Sequence, residues 1–339
     1  MPTIFEINSE RRTPKYLQIV NCVTSSIKNG KLKKGDRILS INELSNEFFL
    51  SRDTVQKAYD VLEKDGILVP VKGKGFYINR TDISTPYRIL LLFNKISNYK
   101  KQIYNSFIKT LGNKAVVDLK IHHCNYTLFE NQINTYANEY DYYVIMPHFY
   151  ENVQEVYSII KKVPEDKLII LDKDVPYLQM NYSAVYQDFQ NDINEALESG
   201  LQFLKKYSRI NLVFPKIISY PREIMTGFRN FCTQYNFPYK IVDEINLNTE
   251  ITSKQVYIVI EETDLVNVIK IANSKKLRIG KDIGIISFNE TPLKEILADG
   301  ITVISTDHEV MGETAAKLIL EHRKEKIKNP FKLIIRKSL

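Results

Sequence analysis

The first 80 residues carry apolar positions at helical spacing, followed by two short apolar runs. After Pro14, apolar residues recur every three or four positions until the Asn29-Gly30 pair, which predicts a first helix that ends at the glycine. The members of this apolar face are Tyr16, Ile19, Val20, Val23 and Ile27. A short second helix is predicted next, because Ser40 and Glu43 have the spacing of a capping box.

A third helix and a hairpin complete this region. Residues 53–66 place four apolar side chains on one face and end at a glycine, which predicts the third helix. Apolar runs at 67–71 and 76–78 then flank Lys72-Gly73-Lys74-Gly75, which predicts a β-hairpin with a basic tip. Three helices followed by such a hairpin form the plan of a winged helix-turn-helix domain, and we assign this domain to residues 1–80.

Residues 87–339 alternate between apolar strand-like runs and helical stretches. Runs such as YRILLLFN, DYYVIMPH and KLIILDK are separated by helical stretches, and the same rhythm continues to a last helix predicted over HEVMGETAAKLILEHRKEK. This alternation predicts two α/β units of similar size with parallel sheets, and a ligand is expected in the cleft between them. The polar stretch before Tyr87 contains Pro86 and shows no periodicity, so the linker is placed at 81–86.

Charge and cysteine content narrow the class of protein. The chain has 339 residues and a net charge of +7, of which +5 falls within residues 1–80. A basic small domain beside a nearly neutral large one favours binding of a polyanion, although a solvated basic surface is the alternative. The three scattered cysteines predict no disulfide framework, and no apolar run is long enough to span a membrane, so a cytoplasmic protein is expected.

The start of the third helix has the side chains that a helix needs to read DNA. The N-terminal residues of a recognition helix contact base edges in the major groove, and hydroxyls and backbone NH groups there hold phosphates. Arg52 suits guanine and Gln56 suits adenine, whereas Ser51 and Thr54 suit phosphate oxygens. Lys57 is a further candidate for a DNA contact at the same end of the helix. The alternative is that Ser51 or Asp53 only caps the helix, which leaves the arginine and the basic hairpin unexplained.

The segment KGDRILSINELSNEFFLSRDTVQKAYDVLEKDGIL, with GKGFYI after it, resembles the DNA-binding domain of GntR-type bacterial regulators. The resemblance covers residues 10–80 with the elements in order. Ser40 stands where the family usually has proline, and Asn42 and Gln56 stand where arginines are common. The resemblance implies DNA contacts at Asn42, Ser51, Arg52, Thr54, Gln56, Lys72, Gly73 and Lys74.

The large region resembles the sugar-binding core of LacI-type repressors, which is similar to periplasmic binding proteins of type I. The segments IGIISFNETPL, ITVISTDHEVMGETAAKLIL and FKLIIRKSL carry this resemblance, which covers residues 87–339. It implies a two-lobed α/β domain with ligand contacts at Asp188, Arg222, Glu261 and Asn289. Three aromatic side chains near strand or turn ends are candidates for stacking on a sugar ring, with core packing as the alternative: Tyr99, Phe149 and Tyr220.

Other chemistries are less well supported by the sequence. His122-His123-Cys124 resembles a metal cluster, but neighbours on a strand point to opposite faces and no second cluster accompanies them, so no metal is expected. We expect no cofactor and no enzyme activity. The two resemblances together imply a dimeric transcriptional repressor that binds operator DNA and a sugar such as L-fucose or arabinose. The alternative is a sugar-processing or pyridoxal-phosphate enzyme domain fused to a DNA-binding head.

Overall fold

The computed structural model describes residues 4–9, 13–82, 86–136, 139–149, 151–216 and 220–339. Two compact units are distinguished, the first comprising Met1–Arg88 with Asn138–Asp141 and the second comprising Ile89–Ala137 with Tyr142–Leu339. Within the described ranges, every helix is too short or too polar to cross a lipid bilayer.

The first unit has the predicted winged helix-turn-helix architecture. Its elements are α1 (Lys15–Lys28), β1 (Arg37–Ile38), α2 (Ile41–Glu47), α3 (Arg52–Lys64), β2 (Leu68–Val71) and β3 (Gly75–Ile78). The strands form an antiparallel sheet in the order β1-β3-β2. The three predicted helices and the hairpin are therefore confirmed.

Local chemistry and apolar packing explain these elements. The predicted capping box is present, since Ser40 accepts a hydrogen bond from the Glu43 backbone NH and the Glu43 carboxylate accepts one from the Ser40 NH. The apolar faces of the helices meet in one core whose centre consists of Ile19, Val23, Leu44, Val55, Ala58, Tyr59 and Leu62, all fully buried. Because the apolar residues of α3 repeat with the helical period, they lie on one face of this helix, and the opposite face is exposed to solvent.

The second unit contains two α/β lobes. The first stretch of chain forms β4 (Tyr87–Phe93), α4 (Asn98–Leu111), β5 (Ala115–Ile121), α5 (Tyr126–Thr135), β6 (Tyr142–Ile145), α6 (Val153–Ile160), β7 (Leu168–Lys173) and β8 (Ser183–Gln187). The next forms α7 (Phe189–Ser199), α8 (Leu201–Leu204), β9 (Arg209–Val213), α9 (Glu223–Gln234), β10 (Tyr239–Val242), β11 (Gln255–Val259), α10 (Glu262–Ser274), β12 (Ile283–Phe288), α11 (Pro292–Ile296) and β13 (Thr302–Thr306). The last forms α12 (His308–Leu320), β14 (Lys326–Lys328) and β15 (Phe331–Ile334).

Each lobe is organised around a six-stranded sheet. The first lobe has the strand order β14-β8-β7-β6-β4-β5, and the second has β10-β9-β11-β12-β13-β15. The paired strands are parallel as predicted, except that β15 runs antiparallel to β13. Because α12 packs on α4 while α7 packs on α9 and β15, the chain passes between the lobes after β8, after β13 and after β14. The predicted two-lobed α/β domain is confirmed.

The prediction of the last helix was wrong at its C-terminal end. The helix was expected to continue to Lys326, but α12 ends at Leu320 and His322 has a φ of 52°. Arg323 is bound to the carboxylates of Glu321 and Glu325, and Lys326 starts β14 beside Ala184. Strand pairing with the first lobe therefore outweighs the helical propensity of EHRKEK.

Two glycines of the C-terminal half allow helices to approach closely. A Cβ atom at Gly312 on α12 would lie 2.3 Å from the Ile103 carbonyl oxygen on α4. A Cβ atom at Gly227 on α9 would lie 2.0 Å from the Gln190 carbonyl oxygen on α7. Both distances are far inside van der Waals contact, so any larger residue would push these helix pairs apart.

Candidate DNA-binding helix and ligand cleft

The N-terminus of α3 is held by hydroxyl side chains. Ser51 is the N-cap and accepts a hydrogen bond from the Thr54 backbone NH at 3.2 Å, and the two hydroxyls lie 2.7 Å apart. Arg52 follows on the exposed side of the helix, without a hydrogen-bond or ion-pair partner among the described residues. The two interpretations of Ser51 are therefore compatible, because the same hydroxyl that caps α3 is exposed beside an arginine that is available for a ligand.

Two other candidate side chains on α3 are held by neighbours. The Gln56 side-chain amide donates to the Asp60 carboxylate at 2.7 Å. The Lys57 ammonium lies 4.1 Å from the centre of the Tyr16 ring, a cation–π contact with α1. The helical pattern correctly predicts that both side chains are exposed, but it does not predict their contacts with Asp60 and Tyr16.

The remaining candidates lie on α2 and at the hairpin tip. Asn42 is exposed on α2, and Lys72, Gly73 and Lys74 are all exposed in the turn between β2 and β3. Gly73 has a φ of +74°, a conformation that favours glycine. The hairpin therefore carries two lysines with no ion-pair partner within the described part of the chain.

The inner cleft of the second unit is lined on one side by a polar network of the first lobe. Lys100, His148, Asp172 and Gln187 come from α4, the segment after β6, β7 and β8. Asp172 Oδ2 lies 2.8 Å from His148 Nε2 and 3.6 Å from Lys100 Nζ, and its Oδ1 accepts from the Gln187 amide. All four side chains are buried. Both carboxylate oxygens are thus occupied within the protein, which fixes the positions of the surrounding donors.

Burial and charge determine the protonation of this network. Burial alone would raise the pKa of Asp172, but the charge of Lys100 and the hydrogen bond from His148 outweigh it and hold this pKa well below its usual range. Burial lowers the pKa of His148, although its bond to Asp172 acts in the opposite direction. The network therefore consists of an ionised Asp172 and a neutral His148 whose Nε2 proton points at the carboxylate. Burial also lowers the pKa of the nearby His308 to about 4, which leaves a neutral ring in the cleft lining.

The opposite side of the inner cleft, contributed by the second lobe, is mainly aromatic. Phe288 and Tyr220 line it together with Asn289. The Asn289 amide donates to the Tyr220 hydroxyl at 3.1 Å, and the Tyr220 hydroxyl lies 3.3 Å from that of Tyr99 on the first lobe. Burial and the neighbouring Tyr99 raise the pKa of Tyr220 well above its usual value, so this hydroxyl stays protonated.

A buried lysine holds the backbone at Asn289. Asn289 has a φ of 62°, in the left-handed region that asparagine tolerates. Lys294 is only 3% exposed, and its ammonium donates to the Phe288 carbonyl at 2.9 Å and to the Asn289 carbonyl at 2.7 Å. Burial lowers the pKa of Lys294 to about 8, although Glu262, Glu290 and Glu261 act against this effect. These two bonds fix the strand end that presents Asn289 to the cleft.

The predicted ligand residues fall into three groups. Tyr99, Tyr220 and Asn289 line the inner cleft and are joined by hydrogen bonds. Phe149 and Arg222 line a wider outer part of the same cleft, where Phe149 stacks on His122 with ring centres 4.5 Å apart. The other two side chains line neither part, and both stand at helix N-caps: Asp188, which accepts from the Asn191 backbone NH on α7, and Glu261, which precedes α10.

Most of the polar side chains that line the first lobe were not predicted from the sequence. Asn94, His148, Asp172 and Gln187 lie at or just beyond the carboxyl ends of β4, β6, β7 and β8. The rule that ligands bind beyond the carboxyl ends of parallel strands would have found them, because all four are polar residues at the ends of apolar runs. Lys100 and His308 lie on helices instead, and no local pattern marks either one.

Two family models match the chain. The model of bacterial regulatory proteins of the gntR family matches residues 15–78, and that of the periplasmic binding protein-like domain matches residues 204–339. These matches correspond to the winged helix-turn-helix unit and to the C-terminal part of the two-lobed unit.

Curated relatives match part of the chain. The chain is 39% identical to the arabinose metabolism transcriptional repressor of Geobacillus stearothermophilus over 71 residues, which are 21% of this chain and 20% of the repressor. It is 31% identical to the HTH-type transcriptional repressor YtrA of Bacillus subtilis over 100 residues, which are 30% of this chain and 73% of YtrA. The chain thus spans only about a fifth of the length of the first of these relatives.

Solved structures share the two-lobed fold. A periplasmic binding protein/LacI transcriptional regulator from Alkaliphilus metalliredigens, complexed with D-xylulofuranose, superposes with a TM-score of 0.56 and 15% identity. The superposition covers 74% of this chain and 98% of that one. At this identity the likeness establishes the fold alone.

Proposed function

This chain belongs to the GntR family of bacterial regulatory proteins, and from that premise we propose that it is a DNA-binding transcriptional repressor regulated by a small sugar. Residues 1–80 bind operator DNA, residues 81–86 form the linker, of which residues 83–85 lie outside the described ranges, and residues 87–339 bind the sugar and form a homodimer in the cytoplasm. The observation that carries the proposal is that an exposed recognition helix and a cleft with polar residues at strand ends occur in one chain.

The exposed side of α3 supports the DNA-binding half of the proposal. Arg52 can pair with guanine, Gln56 with adenine, and the hydroxyls of Ser51 and Thr54 can hold phosphate oxygens. Asn42, Lys57 and the hairpin residues Lys72, Gly73 and Lys74 complete the proposed DNA contacts. A dimer would bring two such helices to successive major grooves, which is the usual arrangement for this class of motif.

The inner cleft supports a ligand rich in hydroxyl groups. The first lobe contributes donors and acceptors, and the second contributes aromatic rings, which together suit the polar edge and apolar face of a sugar. The proposed contacts are Tyr99, Tyr220 and Asn289, with Phe149 and Arg222 in the outer cleft and Asp188 and Glu261 nearby. Arabinose and L-fucose are the first ligands to test. The likeness to the arabinose repressor covers only 21% of this chain, so it supports the choice of operon class more than the choice of sugar.

The DNA-binding half is tested by fluorescence anisotropy on an operator selected in vitro. Arg52→Ala should cost about 1–3 kcal/mol of binding free energy and relax the sequence preference, because a base contact is lost. Lys74→Ala should weaken binding to all sequences alike and lower the salt dependence, because a phosphate contact is lost. Unchanged affinity and preference in the Arg52→Ala protein would refute this assignment.

The sugar-binding half is tested by a thermal-shift screen of monosaccharides, followed by calorimetry. A bound sugar should raise the melting temperature by mass action. Asn289→Ala should remove the binding while the protein stays folded. Asp188→Ala tests in the same way the predicted ligand contact that lies outside the cleft lining. If every sugar leaves the melting temperature unchanged, the ligand class is wrong.

Coupling between the two halves is tested by repeating the operator titration at saturating sugar. The coupling free energy is shared, so sugar and operator must change each other's affinity by the same factor, about 5- to 150-fold for typical couplings. Identical curves with and without a sugar that binds would refute the regulatory mechanism. The alternative of a pyridoxal-phosphate enzyme domain predicts a bound chromophore in the absorption spectrum of the purified protein.

A further inference from the structure

The exposed side of α3 carries an acidic residue in line with the proposed base contacts. Arg52, Gln56 and Asp60 are spaced four residues apart, so they form one line along the helix. All three side chains are exposed. Asp60 has no ion-pair partner among the residues that the structure describes. A carboxylate without a cationic partner repels the phosphates of bound DNA and lowers affinity. A second role for this side chain, in base recognition, would offset that loss.

The contact that Asp60 makes is with Gln56. Its Oδ1 accepts a hydrogen bond from Gln56 Nε2 at 2.7 Å. A carboxylate has no proton to donate, so the nitrogen end of the amide must face Asp60 and the oxygen end must face away. The orientation of the Gln56 amide is therefore set by the chemistry of its neighbour. What remains for DNA is one acceptor oxygen and the second amide hydrogen.

We infer that Asp60 is a specificity-determining positioning residue, which orients Gln56 so that this side chain accepts adenine and rejects guanine on the strand it faces. The inference rests on the proposed DNA-binding function. Adenine presents an amino donor and an acceptor, which match the free oxygen and the free hydrogen of Gln56. Guanine presents two acceptors and would need both amide hydrogens, one of which is bound to Asp60.

The inference makes a prediction that a purely helix-stabilising role does not. Without Asp60 the amide can turn and offer both hydrogens, so guanine becomes acceptable at the same position. The base pair that Gln56 contacts is the one whose replacement no longer changes the affinity of the Gln56→Ala protein. At this base pair the wild type should prefer adenine to guanine by about tenfold or more. In Asp60→Ala this ratio should fall to less than about a third of the wild-type value.

The experiment is in vitro selection from randomised double-stranded DNA with the full chain, followed by anisotropy on the selected site and its single-base variants. Asp60→Asn removes the charge and keeps an acceptor for Gln56, so it should retain the preference that Asp60→Ala loses. Asp65→Ala removes an equal charge at the C-terminus of α3 and should change no base preference. Circular dichroism melting of each variant establishes that the fold is intact.

An unchanged adenine-to-guanine ratio in Asp60→Ala would overturn the inference. So would a gain in affinity for all sequences alike in both Asp60 variants, because the carboxylate would then act only through its charge. If the wild-type protein enriches no sequence at all, the proposed DNA-binding function fails instead, and the two failures are distinguishable.

Discussion

The exposed side of α3 and the inner cleft of the two-lobed unit are both recognition surfaces in the proposed function, but they are built in opposite ways. The candidate side chains at the start of α3 lie within residues 51–57, and all of them except the half-buried Thr54 are exposed. Those that line the inner cleft come from separate strands and helices, most of them are buried, and several are hydrogen-bonded to one another. Substitution on α3 should therefore change recognition with little effect on stability, whereas substitution of the buried charged residues in the cleft should lower stability as well.

The largest effect is expected at Asp172. Asp172→Asn keeps the shape and suits the φ of 77°, but it leaves Lys100 buried beside a neutral amide. Breaking a buried ion pair from one side typically costs about 3–5 kcal/mol, so urea unfolding should show a loss of this size. The double variant with Lys100→Met should recover most of it, and Arg52→Ala on α3 should stay within about 0.5 kcal/mol of wild type. Wild-type stability of Asp172→Asn would show that the cleft network is not what we describe.

Acid should destabilise the second region through its buried histidines. Burial lowers the pKa of His122 and of His308 to about 4, from an ordinary value of 6.5. Between pH 6.5 and 4 these histidines are protonated in the unfolded chain but stay neutral in the folded protein. The free energy of unfolding therefore falls as the pH drops from 6.5 towards 4. Each histidine should remove about 2 kcal/mol of unfolding free energy between pH 6.5 and 5.

Urea unfolding at pH 7 and pH 5 measures this loss, and His122→Gln should flatten it. Residues 1–80 contain no histidine, so the effect belongs to the second region. Equal stability at both pH values would contradict the neutral, buried state of these rings.

A smaller gain of stability is expected in the turn before α3. Phe49 is 94% exposed and has a φ of 51°, a backbone conformation that costs a non-glycine residue about 1 kcal/mol. Phe49→Asn should therefore raise the free energy of unfolding by about 1 kcal/mol, since asparagine tolerates this conformation. Phe48→Ala is the matched control and should lower it, because the Phe48 ring packs edge-on against Phe5. A loss of stability in Phe49→Asn would disprove the strain argument.

The smallest effect distinguishes two exposed cations of α3. Lys57 lies over the Tyr16 ring, so Lys57→Gln should cost about 0.5 kcal/mol of stability through the lost cation–π contact. Arg52 has no such contact, and Arg52→Ala should leave stability unchanged within error. Thermal unfolding of both variants at low and moderate salt measures the difference. Equal stabilities would mean that Lys57 is as free for DNA as Arg52.

The first unit was predicted from sequence almost completely because its determinants are local. The capping box joins residues three apart, and the apolar faces of the helices repeat with the helical period. The cleft was predicted only in outline. Tyr99, Tyr220 and Asn289 are joined as a group, but Lys100 and Asp172 meet only because α4 packs near the end of β7.

The sequence by itself determined the order of the elements, the two folds and the exposed side of α3, since each follows from periodicity within a short segment. The tertiary structure decided where the chain leaves one lobe for the other, and it ended α12 at Leu320 by pairing β14 with β8. It also decided the state of the cleft, because burial and neighbouring charge, rather than residue type, make His148 neutral and Asp172 ionised. Long-range contacts carry this information, and no window of sequence contains both partners.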